Sequence, residues 1–137
     1  MTLDDVADLF IDWAAAEARV RALWIEAPTL PELRRPYRTL ELHLSADEPA
    51  YPSVTADIAA GFAAAQALRA AGIHLLGASD APRFAKEYAL EVEGLRFTLI
   101  AEQSYLLAKR PRAEVVPLLD KTGHIAHVMD FSRRKRG

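Results

Sequence analysis

The chain has 137 residues, of which 51% are hydrophobic, so it is long enough for one domain with a sizeable core. It contains no cysteine, which excludes disulfides, cysteine-ligated zinc and thiol nucleophiles, and its formal net charge of −2 argues against general nucleic-acid binding. Because no N-terminal segment has the pattern of a secretion signal and no apolar run would cross a bilayer, we expect a cytoplasmic protein without a membrane partner.

The first predicted elements are a helix and a strand. Thr2 can cap a helix that runs to about residue 18, since Asp5 follows it at capping-box spacing. Residues 20–26 are mostly apolar without helical spacing, which indicates a buried strand. Three prolines make residues 27–38 a connector with room for one helical turn at 30–35.

A second strand is predicted from strict alternation over residues 39–44. Its leucines would lie beneath helices, and the opposite face of the sheet would be open. The polar residues expected on this open face are Thr39, Glu41 and His43. A helix capped by Ser53 and ending at Gly72 is predicted next, because apolar residues recur at helical spacing between them.

A β-hairpin is predicted near the middle of the chain. Residues 83–92 and 95–102 both alternate, and only Glu93 and Gly94 separate them. This register pairs apolar residues on one face and more polar residues on the other: Val92 with Leu95, Leu90 with Phe97, Tyr88 with Leu99, Glu91 with Arg96, and Ala89 with Thr98.

The remaining predicted elements are short. A strand at residues 73–76 is followed by a loop, and residues 103–109 favour a helix. Residues 115–119 favour a strand at a sheet edge, because Pro117 cannot donate a hydrogen bond to a neighbouring strand. Residues 124–131 favour a further strand or a short helix.

Together these elements predict an α+β fold with a mixed β-sheet and helices on one face, in two layers. We expect a single domain over residues 1–131 and a disordered basic tail over residues 132–137. Four adjacent cations in this tail, residues 133–136, are able to contact phosphates, but a solvated terminus is the favoured interpretation, and nucleic acid is not expected as a partner elsewhere.

The order helix, strand, connector, strand, helix, hairpin, strand resembles the nucleotidyltransferase fold of the polymerase β superfamily. The closer likeness is to bacterial aminoglycoside-adenylyltransferase-like and minimal nucleotidyltransferases. Residues 13–26 look like the first helix and strand of the family, and residues 39–44 look like the strand that carries an Asp-x-Asp pair. Residues 95–100 look like the strand with the third aspartate, and residues 116–123 resemble the strand and turn downstream of it.

The diagnostic motifs of the family are altered in this chain. The positions that the resemblance assigns to three metal-binding aspartates hold Thr39, Glu41 and Thr98, and Ala27-Pro28 stands where a Gly-Ser pair would wrap a phosphate. Two-metal nucleotidyl transfer needs several carboxylates to hold magnesium ions. We therefore expect no catalytic residues, no metal site and no cofactor, with weak Mg²⁺ binding at Glu41 the only metal interaction left open.

Two groups of residues are candidates for binding a ligand. Glu41 and His43 would line a remnant pocket, and arginine side chains would hold an anion because their planar guanidinium matches phosphate. The arginine candidates are Arg34, Arg35, Arg38 and Arg96. The structural alternatives are an ordinary polar sheet face and loop charges balanced by Glu32. Zinc binding by Glu41 and His43 is disfavoured, since two ligands at strand spacing are a weak signal.

We favour a catalytically inactive nucleotidyltransferase-fold protein that acts as a binding or regulatory module, with a protein partner or a homodimer covering the open face. One alternative is an active Mg²⁺-dependent nucleotidyltransferase with relocated carboxylates supplied by Glu26, Glu91 or Glu102. Another is an antitoxin-like partner of a small helical toxin, as among minimal nucleotidyltransferases. The sequence leaves open whether nucleotide binding survives.

Overall fold

A computed structural model describes residues 1–27, 30–104, 114–121, 123 and 125. The helices and strands of this part of the chain are α1 (Leu3–Ala16), β1 (Ala22–Ala27), β2 (Glu41–Ala46), α2 (Tyr51–Ala59), α3 (Gln66–Ala70), β3 (His74–Ala81), β4 (Ala85–Val92), β5 (Leu95–Gln103) and β6 (Glu114–Asp120). Short 3₁₀ turns cover Leu30–Leu33 and Pro82–Phe84. Among the described residues, no helix is long and apolar enough to cross a bilayer.

The six strands form one mixed sheet in the order β3-β4-β5-β2-β1-β6. β2 and β5 run parallel, whereas every other neighbouring pair in this sheet is antiparallel. The predicted α+β class is therefore confirmed. β6 lies at an edge, as Pro117 requires, and this proline pairs with Trp24 where the register of β1 and β6 shifts.

The three helices pack on one face of the sheet. Their apolar side chains join the inward-facing residues of the strands in one core, which includes Leu42 and Leu44 of β2 as the alternation predicted. Phe10 of α1 lies at the centre of this core and makes edge-to-face contacts with Trp13, Phe62 and Phe97 at centroid distances of 5.9, 5.9 and 5.5 Å.

The N-terminus of α1 agrees with the sequence. The Thr2 hydroxyl accepts a hydrogen bond from the Asp5 backbone N–H at 3.2 Å, and the Asp5 carboxylate accepts one from the Thr2 N–H at 2.8 Å. The helix ends at Ala16, slightly earlier than predicted, because Glu17 adopts an extended conformation. Its carboxylate binds the Arg19 side chain at 2.9 Å.

The predicted long helix from Ser53 to Gly72 is wrong. The chain forms α2 and α3 instead, and the backbone between them turns at Gly61 and Phe62, with φ angles of 75° and 61°. Ser53 does not cap the helix; its hydroxyl accepts a hydrogen bond from Arg19 at 2.7 Å. The break places the Phe62 ring, which is fully buried, against Phe10, so tertiary packing overrides the helical propensity of the alanine run.

The hairpin register is confirmed for every predicted pair between β4 and β5. The short strand predicted at 73–76 extends to Ala81, so the predicted loop after it is wrong. β1 and β2 each begin two residues later than predicted, which leaves Thr39 just before β2. Gln103, where a helix was predicted to begin, ends β5. The predictions for residues 105–109, for 126–131 and for the tail lie outside the described residues.

Candidate functional site: a carboxylate–histidine cluster

The sheet face opposite the helices is buried along β1 and β2. Trp24 and Ser45 have no exposed surface, and His43 is only 2% exposed. The prediction that His43 lies on an open face is therefore wrong. Ile125 packs with Trp24 on this side, so this part of the sheet is covered by residues remote in sequence. Farther across the sheet, Ala89 is exposed on the same face.

Two glutamates and a histidine meet on this face. Antiparallel pairing of β1 with β2 sets Trp24 opposite His43, and alternation then brings Glu26 and Glu41 to the same side. Nε2 of His43 lies 2.9 Å from Oε2 of Glu26 and 3.2 Å from Oε2 of Glu41. The Glu26 side chain is 11% exposed and that of Glu41 is 45% exposed, so Glu41 forms the solvent side of the cluster.

The two glutamates favour the protonated, positively charged form of His43 although its side chain is buried. Burial acts to lower the pKa of the imidazole, but the Glu26 and Glu41 carboxylates favour its protonated form and the net pKa is raised. The ring stacks on the Trp24 indole, with centroids 5.5 Å apart and an angle of 22° between planes. Despite the short distances to the two carboxylates, neither ring nitrogen has a hydrogen bond of acceptable geometry.

A pocket of about 160 Å³ opens beside the cluster. Three glutamates line it, Glu26, Glu32 and Glu41, together with apolar side chains and Thr39. No lysine or arginine is among the residues that line this pocket. Its chemistry therefore suits a cation better than an anion.

Contacts with α1 hold the connector that forms one wall of the pocket. The backbone N–H of Tyr37 donates a hydrogen bond to the Asp4 carboxylate at 2.8 Å. Arg35 binds the Asp8 carboxylate at 2.7 Å, and its guanidinium lies 5.2 Å from the centre of the Tyr37 ring. Asp4 and Asp8 of α1 therefore hold the backbone of Tyr37 and the side chain of Arg35, and this positions the Tyr37 ring at the pocket wall.

The structure does not bring the four candidate arginines to the pocket. Arg35 makes the contacts with α1 described above, and Arg96 lies 3.4 Å from Glu91 on the surface of the hairpin. Arg34 and Arg38 are exposed. None of the four lines the pocket, whereas Glu41 does and is in contact with His43.

The positions assigned to the metal-binding aspartates of the nucleotidyltransferases lie near one another. Glu41 and Thr98 are register partners on the parallel strands β2 and β5, and Thr39 lines the same pocket as Glu41. These three residues together supply one carboxylate. Of the carboxylates considered as relocated ligands, Glu26 reaches the cluster, while Glu102 pairs with β2 at Ser45, toward the other end of the strand.

From the sequence, Glu41 and His43 were expected to line a pocket, and Glu26 was one of three alternative relocated carboxylates, but the three residues were not predicted to form one cluster. The signal was present, because a glutamate at the end of a buried apolar strand needs a polar partner. The register between β1 and β2 was the missing fact, since it decides which residues of the two strands are neighbours.

No protein-family model and no curated protein matches this sequence. The structure shows a mixed six-stranded sheet with three helices packed on it. The likeness to nucleotidyltransferases therefore depends on the order of the elements and on the four stretches of sequence named above.

Proposed function

We propose that this chain is a binding module on a nucleotidyltransferase-like fold, without nucleotidyl-transfer activity. The observation that supports it is the residue content of the three expected metal-binding positions, Thr39, Glu41 and Thr98. Two-metal transfer uses carboxylates to hold two magnesium ions about 4 Å apart and so align the attacking and leaving oxygens. Threonine hydroxyls are neutral, and a single carboxylate at Glu41 is too little charge for that task.

The charge of the pocket supports the same proposal. A nucleotide brings several negative charges, and three glutamates line the pocket. The arginines of the connector, which follow the place where the family has its phosphate-binding loop, lie outside the pocket lining, and Arg35 is held by Asp8. The pocket therefore favours a cation over a nucleotide. A regulatory partner or a second copy of the chain would bind through surfaces outside this pocket.

A second candidate is an enzyme with relocated carboxylates. The proximity of Glu26 to the cluster favours it, because Glu26 and Glu41 together give two carboxylates on adjacent strands. His43 lies in contact with both, so its imidazole competes for the space that a magnesium ion would take. This arrangement is better suited to one ion than to two.

Calorimetric titration of ATP and GTP into the full chain, with and without Mg²⁺, tests the proposal. We expect no binding that requires magnesium and no release of pyrophosphate from either nucleotide. Glu41→Gln and Glu32→Gln form a matched pair, because both glutamates line the pocket but only Glu41 belongs to the metal-binding positions. Magnesium-dependent nucleotide binding that Glu41→Gln abolishes and Glu32→Gln preserves would refute the proposal in favour of the enzyme.

A further inference from the structure

The three side chains of the cluster are spaced like the ligands of one metal ion. One potential ligand atom from each of Glu26, Glu41 and His43 lies within 4.8 Å of the other two. Around a tetrahedral metal ion with bonds of about 2.0–2.2 Å, ligand atoms are separated by roughly 3.3–3.6 Å. The distances from His43 Nε2 to the two carboxylates, 2.9 and 3.2 Å, are a few tenths of an ångström shorter, so binding of an ion requires a small outward movement of the carboxylates.

The orientation of the histidine is a second, independent observation. Its side chain is 3% exposed, and Nε2 lies against two carboxylates although the N–H direction forms no hydrogen bond of acceptable geometry with either. A buried ion pair without metal normally directs an N–H at one oxygen, since this hydrogen bond repays part of the desolvation cost. A metal ion bound by Nε2 and both carboxylates would satisfy this buried nitrogen.

The donor set selects the class of ion. Mg²⁺ and Ca²⁺ are bound through oxygen, so an imidazole ligand disfavours them. Soft ions such as Cu(I) select sulfur ligands, which this chain lacks at the cluster. One imidazole and two carboxylates suit Zn²⁺ and its neighbours in the first transition series.

We infer that Glu26, Glu41 and His43 bind one divalent first-row transition-metal ion, for which Zn²⁺ is the best-fitting probe. The three protein ligands leave at least one coordination position, and the adjoining pocket gives it room for water or a small ligand. Three protein ligands with an open position are typical of reactive or ligand-binding sites, whereas structural zinc sites are closed by four. The inference does not rest on the proposed loss of nucleotidyl transfer, because it uses only the geometry of these side chains.

Titration of ZnCl₂ into metal-stripped full-length protein tests this site. We expect one zinc ion per chain and a loss of affinity of at least about tenfold in Glu41→Gln. Glu41 is the best position to change because its side chain is 45% exposed, so the fold should tolerate the substitution. Glu48→Gln is the matched control; it removes an exposed carboxylate that belongs neither to the pocket nor to the cluster, and its zinc affinity should equal that of the wild type.

Three further measurements complete the test. Circular dichroism confirms that each variant is folded, and Glu26→Gln repeats the comparison at the second carboxylate. Millimolar Mg²⁺ should leave zinc binding unchanged, since the imidazole ligand disfavours magnesium. Zinc K-edge absorption should show nitrogen and oxygen ligands with one imidazole. The inference is overturned by absence of zinc binding in the wild type, or by equal affinity in the wild type and both cluster variants, which would place any bound zinc elsewhere.

Discussion

Truncation of Phe10 should destabilise the protein strongly, because this ring joins helix and sheet. Phe10 has no exposed surface and makes edge-to-face contacts with three other rings. Phe10→Ala removes the ring and leaves a cavity between α1 and β5 that the surrounding side chains fill only in part.

The expected loss is about 4–5 kcal/mol of unfolding free energy. Buried Phe→Ala substitutions cost about 3–5 kcal/mol, and each lost edge-to-face pair contributes roughly 0.5–1.5 kcal/mol beyond buried area, which places this position at the upper end. Since whole domains are stable by about 5–15 kcal/mol, the variant would be close to unfolding.

Urea unfolding followed by circular dichroism measures the difference. Phe84→Ala is the matched control: it removes the same ring from a side chain that is 85% exposed, so we expect a change within about 0.5 kcal/mol. A cost of less than about 1 kcal/mol for Phe10→Ala, or one no greater than that of Phe84→Ala, would contradict the expected effect. Either result would mean that α1 is not fixed to the sheet through this aromatic cluster.

Three further outcomes are expected. Burial raises the pKa of Tyr51 from its ordinary 10.0 to about 12, so its contribution to stability is complete below pH 10 and is lost as the pH rises toward 12. Tyr51→Phe should reduce this alkaline loss in urea unfolding, and an unchanged pH profile would contradict the burial of this hydroxyl. Gly94→Ala should destabilise the protein by about 1–2 kcal/mol because φ at this position is +80°. Gly77→Ala should not destabilise it, since Gly77 has no positive φ and has open space around it, and equal effects of the two substitutions would contradict the turn assignment. If the open part of the sheet around Ala89 and Ile100 binds a second copy, light scattering at high micromolar concentration should give a dimer, and a monomer would count against it.

Local patterns determined the elements whose geometry depends on near neighbours. The hairpin register followed from alternation on both sides of Glu93 and Gly94, because a side-chain period of two and a two-residue turn leave one consistent pairing. The capping box at Thr2 was predictable for the same reason, since its partner Asp5 lies one turn away. The leucine face of β2 also followed from alternation alone.

The helix break at Gly61 and Phe62 was decided by the tertiary structure. The alanine run around them has high helix propensity, and the local sequence favours continuation. Burial of the Phe62 ring against Phe10 and Trp13 outweighs that preference. A contact between residues so far apart in sequence leaves no trace in local periodicity.

In the candidate site too, some features follow from local sequence and others from tertiary contacts. Alternation along residues 39–44 was enough to place Glu41 and His43 on one face of a strand. The burial of His43 and its contact with Glu26 became visible in the folded protein alone. The physical reason is that burial and ligand spacing depend on the pairing of β1 with β2 and on Ile125 beyond them, whereas alternation within one strand specifies only a direction.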